Sequence, residues 1–240
     1  MKTRTIFAAL LLIAAVSQTV RAQKVLIYKT DKTQVELKTS EVDSMVFVPE
    51  EPLLTCPDDN HPHAIDLGLP SGTKWACCNV GASTPEGYGG YYAWGETCEK
   101  NAYNWDTYAY GSSWDNCVNI GSDIAGTSYD VAHVRMGAPW RMPSTGQQQE
   151  LINNCSSQWT QQNGVNGMLV TGRNGGQIFL PAAGYRWDDY LDNAGSYGYY
   201  WSSSHYRGFV GGAYSMYSSG YWCWDGLGRG FGLSVRAVCP

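Results

Sequence analysis

Residues 198–228 read GYYWSSSHYRGFVGGAYSMYSSGYWCWDGLG and give the chain its most distinctive β-rich pattern. Within them, Ala213–Tyr217 and Tyr221–Trp224 predict two strands, and the Ser-Ser-Gly between them predicts a turn. Successive side chains of a strand point to opposite faces, so Trp222 and Trp224 share one face and their neighbours share the other. The stretch therefore predicts an antiparallel hairpin with aromatic side chains on both faces.

Composition sets the broad class of the chain. Its 240 residues include 28 Gly, 17 Tyr and 10 Trp, and only 15% are charged. Such a chain has too many aromatic and too few charged residues for intrinsic disorder, and glycine and aromatic residues favour strands and loops over helices. Beyond the N-terminus there is no apolar run of about 20 residues, which excludes a bundle of membrane-spanning helices. We therefore expect one main domain that is mostly β or α+β.

The first 22 residues have the pattern of a secretory signal peptide. A basic start with Lys2 and Arg4 precedes an apolar core, Ile6–Val16, and a small residue, Ala22, marks the cleavage site. The apolar core is too short for a membrane anchor. Removal of residues 1–22 takes away three basic residues and leaves a net charge of (16 − 3) − 21 = −8. The sequence therefore predicts an exported protein with no membrane span and no nucleic-acid partner.

Beyond the signal peptide, the sequence predicts two folded parts and a linker. Residues 23–49 form a small β-rich unit, which is too short to bury much core alone. Its predicted strands are Lys24–Tyr28, Gln34–Leu37 and Met45–Val48. Residues 50–62 are rich in proline and acidic residues and predict a linker. The main domain is predicted over residues 63–240.

Two short helices are predicted in the main domain. The first spans Thr127–Met136, and the second spans Thr145–Asn153 after Ser144, a natural N-cap residue. Gln147 lies three residues after Ser144 and completes a capping-box pattern. The side chains predicted to face the core are Val131, Val134, Met136, Leu151 and Ile152. The clearest predicted strands are Gln177–Leu180 and Gly232–Val238.

Eight cysteines are scattered along the chain without a C-x-x-C pair. This spacing excludes zinc-ribbon and thioredoxin-type sites. In the oxidising compartment that the signal peptide implies, we expect at least two disulfide bridges. Cys77 and Cys78 are adjacent, so we expect each to pair elsewhere or one to stay free. A bridge from Cys239 would hold the last strand against the rest of the domain.

Patterns for catalysis and metal binding are weak. The sequence has no G-x-S-x-G nucleophile motif. Residues 58–63 contain two Asp and two His, which are residue types that can coordinate a metal ion. Their position in the Pro-rich segment favours a solvated linker instead. The acidic cluster Asp188, Asp189 and Asp192 has the chemistry for glycoside hydrolysis or calcium binding, but a polar loop is favoured. We therefore predict no catalytic residue, no metal site and no cofactor.

The main domain contains seven motif blocks, namely Ile65–Ala76, Asn79–Ala82, Tyr91–Thr97, Trp140–Ser144, Phe179–Arg186, Gly198–Ser204 and Ser234–Arg236. Their order resembles the Fibrobacter succinogenes major paralogous domain family of exported Bacteroidetes proteins, and the match covers nearly all of residues 63–239. The resemblance implies an α+β fold: a C-type lectin-like domain, related to formylglycine-generating enzymes, with two short helices and twisted antiparallel sheets after a small β-rich N-terminal unit. It also implies an extracellular, cell-surface or periplasmic location in a Gram-negative bacterium.

The resemblance does not extend to the activities of better-known relatives. The Glu-Pro-Asn or Gln-Pro-Asp loop of calcium-dependent lectins is absent, and Trp114-Asp115-Asn116 reverses the order of their Trp-Asn-Asp strand. Cys223 and Cys239 lie sixteen residues apart, unlike the closely spaced cysteines of formylglycine-generating enzymes. We therefore expect a binding module rather than an enzyme.

The densest aromatic region lies near the C-terminus. Residues 197–232 contain 7 Tyr, 3 Trp, 9 Gly and 6 Ser. This composition is typical of antibody-type binding surfaces. Residues 199–201 are predicted to fill the core. Residues 204–230 resemble the variable segment of C-type lectin-like proteins diversified by retroelements, and we predict that they face solvent. The predicted ligand-binding residues are Tyr206, Arg207, Phe209, Tyr214, Tyr217, Tyr221, Trp222, Trp224, Asp225 and Arg229.

We expect this surface to recognise a glycan or a protein at the cell surface. One alternative is a structural subunit of a surface appendage or envelope assembly, docked through residues 24–49. Another is an enzyme of the formylglycine type or a hydrolase. Sister sequences that vary no more in residues 204–230 than in residues 63–140 would contradict the diversification hypothesis.

Overall fold

The structure, a computed structural model, describes residues 24–28, 34–38 and 63–240. The chain divides into two compact units, residues 1–50 and 51–240. In the first unit, β1 (Lys24–Tyr28) and β2 (Gln34–Lys38) form an antiparallel hairpin, which confirms both predicted strands. The predicted signal peptide, third strand and linker lie outside the described residues.

The described part of the second unit, residues 63–240, consists of small antiparallel sheets and two short helices, which makes its class α+β with mostly β structure. Its helices are α1 (Val131–Met136) and α2 (Thr145–Asn154). Its strands are β3 (Ala64–Asp66), β4 (Lys74–Ala76), β5 (Gly111–Ser113), β6 (Asn116–Cys117), β7 (Ser156–Gln162), β8 (Val165–Thr171), β9 (Gln177–Pro181), β10 (Tyr185–Trp187), β11 (Tyr190–Asp192), β12 (Gly198–His205), β13 (Gly212–Ser218), β14 (Trp222–Gly228) and β15 (Val238–Cys239). The three larger sheets have the strand orders β15-β4-β3, β7-β8-β9 and β12-β13-β14. No helix in the described part of the chain is long and apolar enough to cross a membrane.

Helix α2 begins and ends within one residue of its predicted bounds. The Ser144 side chain accepts a hydrogen bond from the Gln147 backbone N–H, and the Gln147 side chain accepts one from the Ser144 N–H. The predicted capping box is therefore confirmed. Leu151 is fully buried and Ile152 packs partly against the same core, as predicted. The buried Gln148 amide donates to two carbonyl groups of β12, which joins the helix to that strand.

Helix α1 is shorter than predicted. It begins at Val131 rather than at Thr127, because the buried Asp130 side chain caps it by accepting hydrogen bonds from two backbone N–H groups of the first turn. With fewer than two turns, the helix buries only Val131 and the residue after it. Met136 packs partly against the core, but Val134 is 48% exposed, so its predicted place in the core is wrong.

Two clusters of buried side chains form most of the core of the second unit. Trp201 belongs to the first cluster and Tyr200 to the second, and their predicted burial is confirmed. The indole N–H of Trp201 donates to the Tyr92 carbonyl, and that of Trp94 donates to the Ser202 carbonyl. Neighbouring residues of β12 therefore anchor both clusters.

The C-terminal segment differs from the continuous strand predicted over residues 232–238. Only β15 is a strand, and residues 232–234 form isolated bridges to three different segments. Within this segment, the buried guanidinium group of Arg236 donates to carbonyl groups from three separate parts of the chain. Isolated bridges and side-chain hydrogen bonds therefore hold the segment where a continuous strand was predicted.

The structure corrects the prediction of disulfides. Free thiols are present at Cys98, Cys117, Cys155, Cys223 and Cys239. The three remaining cysteines can form at most one bridge, so the expected minimum of two bridges is wrong. The predicted bridge at Cys239 is absent. The last strand, β15, is instead held by its antiparallel pairing with β4.

Candidate functional site

The predicted binding stretch folds into the antiparallel sheet β12-β13-β14, which confirms its two predicted strands. Tyr199 of β12 lies opposite Tyr217 of β13, and Tyr217 lies opposite Cys223 of β14. One residue earlier on β13, Met216 lies opposite Trp224. Because side chains alternate along a strand, the predicted residues are divided between the two faces of this sheet.

A cleft of about 400 Å³ lies on one face of the sheet, and we call it the tyrosine cleft. It is lined by Asn193, Tyr197, Tyr199, Tyr217, Tyr221, Asp225 and Leu227. Three of its rings are stacked. The ring centroids of Tyr197 and Tyr199 lie 5.9 Å apart with an interplanar angle of 29°, and those of Tyr199 and Tyr217 lie 5.3 Å apart at 21°. The exposed Tyr221 adds a fourth phenol group to the cleft.

Two phenol groups of the tyrosine cleft stay neutral well above physiological pH. A hydrogen bond with Cys223, together with burial, raises the pKa of Tyr217 to about 12, and burial raises the pKa of Tyr199. A neutral phenol can both donate and accept a hydrogen bond. Among the lining residues, Asp225 is the one carboxylate and Asn193 the one amide. The cleft therefore combines flat apolar rings with neutral and anionic polar groups.

A second cleft, of about 390 Å³, lies on the opposite face of the sheet beside helix α2, and we call it the tryptophan cleft. It is lined by Thr145, Gln149, Arg207, Tyr214 and Trp224. The exposed Arg207 gives it a positive charge. Trp224 also packs against the core, because it lies opposite the buried Met216. Two clefts with charged groups of opposite sign therefore lie on opposite faces of one sheet.

Three of the predicted binding residues, Tyr206, Phe209 and Trp222, are half-buried and have packing roles. Trp222 packs against the core, and its indole N–H donates to the Ser157 hydroxyl. The Tyr206 ring stands between those of Phe209 and Tyr214, with centroid distances of 4.9 Å to each. These rings support the sheet and are not free to contact a ligand with their whole surface.

Arg229 is not the exposed anchor that the sequence predicts. It is only 1% exposed, and its guanidinium group lies over the Trp94 ring, 4.7 Å from the centroid. Its Nε donates to the Tyr108 hydroxyl at 2.8 Å, and its Nη1 donates to the Val118 carbonyl at 3.1 Å. The charge is stable in this buried place because cation–π contacts and charge-assisted hydrogen bonds replace much of its hydration.

Six predicted residues line the two clefts: Tyr217, Tyr221 and Asp225 in the first, and Arg207, Tyr214 and Trp224 in the second. Sequence reasoning missed Asn193, Tyr197, Tyr199 and Leu227, which complete the tyrosine cleft. Tyr199, predicted for the core, is half-buried and reaches the cleft. The signal was the alternation of Tyr197 and Tyr199, which places both side chains on the strand face opposite the buried Tyr200.

The acidic cluster that the sequence assigns to a polar loop lies on the hairpin β10-β11. Asp188 occupies the turn with a φ of 54°, and its carboxylate accepts a hydrogen bond from the Asn104 amide. Asp189 and Asp192 are exposed. Within residues 63–240 and the two described strands before them, no three His, Cys, Asp or Glu side chains are grouped to hold a metal ion.

No protein-family model, curated protein or solved structure matches this chain. An α+β architecture by itself does not select a function, because one fold hosts many. The side chains of the clefts are therefore what indicates their function.

Proposed function

We propose that this chain is an exported, non-catalytic binding module and that its tyrosine cleft binds a saccharide at the cell surface. The observation that carries the proposal is a stack of three tyrosine rings in a cleft that also holds a carboxylate and an amide. The resemblance to the major paralogous domain family, and through it to the C-type lectin-like fold, supports a recognition role for this domain.

A pyranose ring matches both kinds of chemistry in the cleft. One face of the sugar carries C–H groups that pack on an aromatic ring, and its rim carries hydroxyl groups that need hydrogen-bond partners. The exposed Tyr221 ring offers the flat surface, and Asp225 and Asn193 offer polar partners for the rim. The cleft volume of about 400 Å³ lies within the range of small-ligand sites.

The stacked rings also lower the entropic penalty of binding. Tyr199 is held edge-on by Tyr185 at 5.1 Å and face-on by Tyr217 at 5.3 Å, so its orientation is fixed before a ligand arrives. Tyr221, at 64% exposure, is the least restrained ring of the cleft. Ordering one such side chain costs about 0.5–1.5 kcal/mol, which one good aromatic contact offsets.

A matched pair of tyrosine variants tests the proposal. Tyr221 is 64% exposed and lines the cleft, whereas Tyr190 is 66% exposed and lies on the hairpin β10-β11 outside it. A glycan array screened with the full chain identifies the saccharide, and titration calorimetry then measures Kd. We expect Tyr221→Ala to raise Kd about tenfold, the equivalent of one aromatic contact, and Tyr190→Ala to leave it within about twofold.

Other outcomes would point to the alternatives. Binding that survives both Tyr221→Ala and Asp225→Asn unchanged would exclude the tyrosine cleft as the site. A protein ligand that depends on the same two residues would keep the binding module and replace the saccharide. A chain that binds neither class of ligand would fit a structural subunit of an envelope assembly better.

A further inference from the structure

A third cleft, of about 470 Å³, is distinct from the tyrosine and tryptophan clefts, and we call it the arginine cleft. It is lined by Asn119, Gly121, Ser122, His205, Val210 and Arg229. None of these six residues is acidic. The arginine cleft therefore combines a buried positive charge with amide and hydroxyl donors.

The guanidinium group of Arg229 is incompletely satisfied. Its Nε and Nη1 donate to Tyr108 and Val118, but its Nη2 is buried and has no hydrogen-bond partner among the described residues. Within the same part of the chain, no carboxylate forms a salt bridge with Arg229. An unpaired buried donor and a buried charge without a counter-charge are both unfavourable. An anion in the arginine cleft would supply the missing counter-charge.

Arg236 shows that this fold can satisfy a buried guanidinium group completely. Its Nε donates to the Asn79 side chain, and its Nη1 and Nη2 donate to backbone carbonyl groups. Arg229 is equally buried, yet it is one partner short and lines a cleft. The unpaired donor and the open space occur at the same residue.

We propose that the arginine cleft binds the carboxylate group of a small organic ligand, with the buried guanidinium group of Arg229 as its counter-charge. A carboxylate carries a single negative charge, which balances the single buried positive charge. Asn119 supplies a hydrogen-bond donor, because its Oδ1 accepts from the Gly121 N–H and its NH₂ group is left for a ligand.

The carboxylate of a sugar acid and that of a peptide-like acid have the same chemistry, and a cleft of about 470 Å³ has room for either. His205 does not oppose the ligand with an acceptor at Nε2, because that nitrogen donates to the Val210 carbonyl at 2.9 Å. This site is separate from the tyrosine cleft and does not rest on the saccharide proposal.

Calorimetric titration of the full chain with glucuronate, glucose and N-acetylglycine tests the inference. Glucose is the neutral control for glucuronate, and N-acetylglycine separates a peptide-like acid from a sugar acid. Val210→Glu places a competing carboxylate in the cleft, and Val210→Gln is its neutral control; Val210 is 49% exposed, so neither variant disturbs the core. Arg229→Gln removes the charge, and near-UV circular dichroism checks that this variant folds. If it does not fold, the two Val210 variants decide.

We expect at least one of the two carboxylates to bind, and glucose to bind about tenfold more weakly or not at all. Val210→Glu and folded Arg229→Gln should weaken carboxylate binding about tenfold or more, while Val210→Gln and Tyr190→Ala stay within about threefold of the original chain. The inference is wrong if neither carboxylate binds, if glucose binds as tightly as glucuronate, or if Val210→Glu binds as well as Val210→Gln. An equal loss of glucuronate binding in Tyr221→Ala would also overturn it, because the ligand would then lie in the tyrosine cleft.

Discussion

Gly226→Ala tests whether the aromatic packing around Tyr206 depends on bare backbone in β14. A Cβ atom at residue 226 would lie 2.5 and 2.6 Å from Cδ1 and Cδ2 of the Tyr206 ring. Carbon atoms do not pack this closely, and the ring cannot give way without a change of the whole side chain. The substitution therefore forces Tyr206 away from Phe209 and Tyr214.

The expected loss of stability follows from the contacts that Tyr206 gives up. Its ring centroid lies 4.9 Å from that of Phe209 and 4.9 Å from that of Tyr214. Each aromatic pair contributes about 0.5–1.5 kcal/mol, so the loss of both costs about 1–3 kcal/mol. Replacing Gly with Ala in a strand offsets about 0.5–1 kcal/mol of this. We expect the free energy of unfolding to fall by about 0–2.5 kcal/mol, which lowers Tm by up to roughly 10 °C for a unit of this size.

Urea unfolding of the original chain, Gly226→Ala, Tyr206→Ala and the double variant isolates the effect. Once the Tyr206 ring is gone, the added methyl group meets no ring, so the double variant should be no less stable than Tyr206→Ala. The gain from Gly→Ala is present in both backgrounds and cancels, so the cycle should give a coupling energy of about 1–3 kcal/mol. Additive effects, with a coupling energy below about 0.5 kcal/mol, would refute the reasoning.

Two further predictions concern alkaline pH and the thiols. Burial raises the pKa of several tyrosines, that of Tyr103 to about 12, so above about pH 10 the unfolded chain loses protons that the folded chain keeps. Each such tyrosine then lowers the free energy of unfolding by up to about 1.4 kcal/mol per pH unit; equal urea midpoints at about pH 9 and about pH 11 would contradict this. Cys98 is exposed and Cys239 is buried, so a thiol reagent should label Cys98 in the native protein and Cys239 only after unfolding. Peptide mass spectrometry without reduction checks the labelling, and a disulfide at either residue would overturn it.

Helix α2 was predictable because its boundary is set by local chemistry. Ser144 and Gln147 lie three residues apart, and the two hydrogen bonds implied by that spacing are formed. The length of α1 was not predictable, because its start is set by Asp130, whose carboxylate also accepts a hydrogen bond from the Met142 N–H twelve residues away. A local sequence pattern does not contain contacts between distant segments.

The same distinction explains the outcome at the candidate site. The alternation of side chains placed Trp222 and Trp224 on one face of β14, but it did not reveal how much of that face the core covers. The burial of Arg229 is the clearest case of a feature that the local sequence does not predict. The partners of Arg229, Tyr108 and Val118, lie 121 and 111 residues earlier in the chain, and nothing in the glycine-rich segment around Arg229 indicates them. An arginine in a polar aromatic stretch therefore had the pattern of a surface anchor although it is buried.

The interleaving of buried and outward positions also limits how this sheet can change to bind different ligands. Ala213 and Met216 are fully buried in separate core clusters, so a change of size at either disturbs the packing. Arg207 and Tyr221 are exposed and line clefts on opposite faces. The hypothesis that residues 204–230 are diversified therefore requires variation at the outward positions and constancy at those between them. The composition of residues 204–230 fits both kinds of position. Outward rings supply contact area, and glycines such as Gly226 let a ring lie against the backbone.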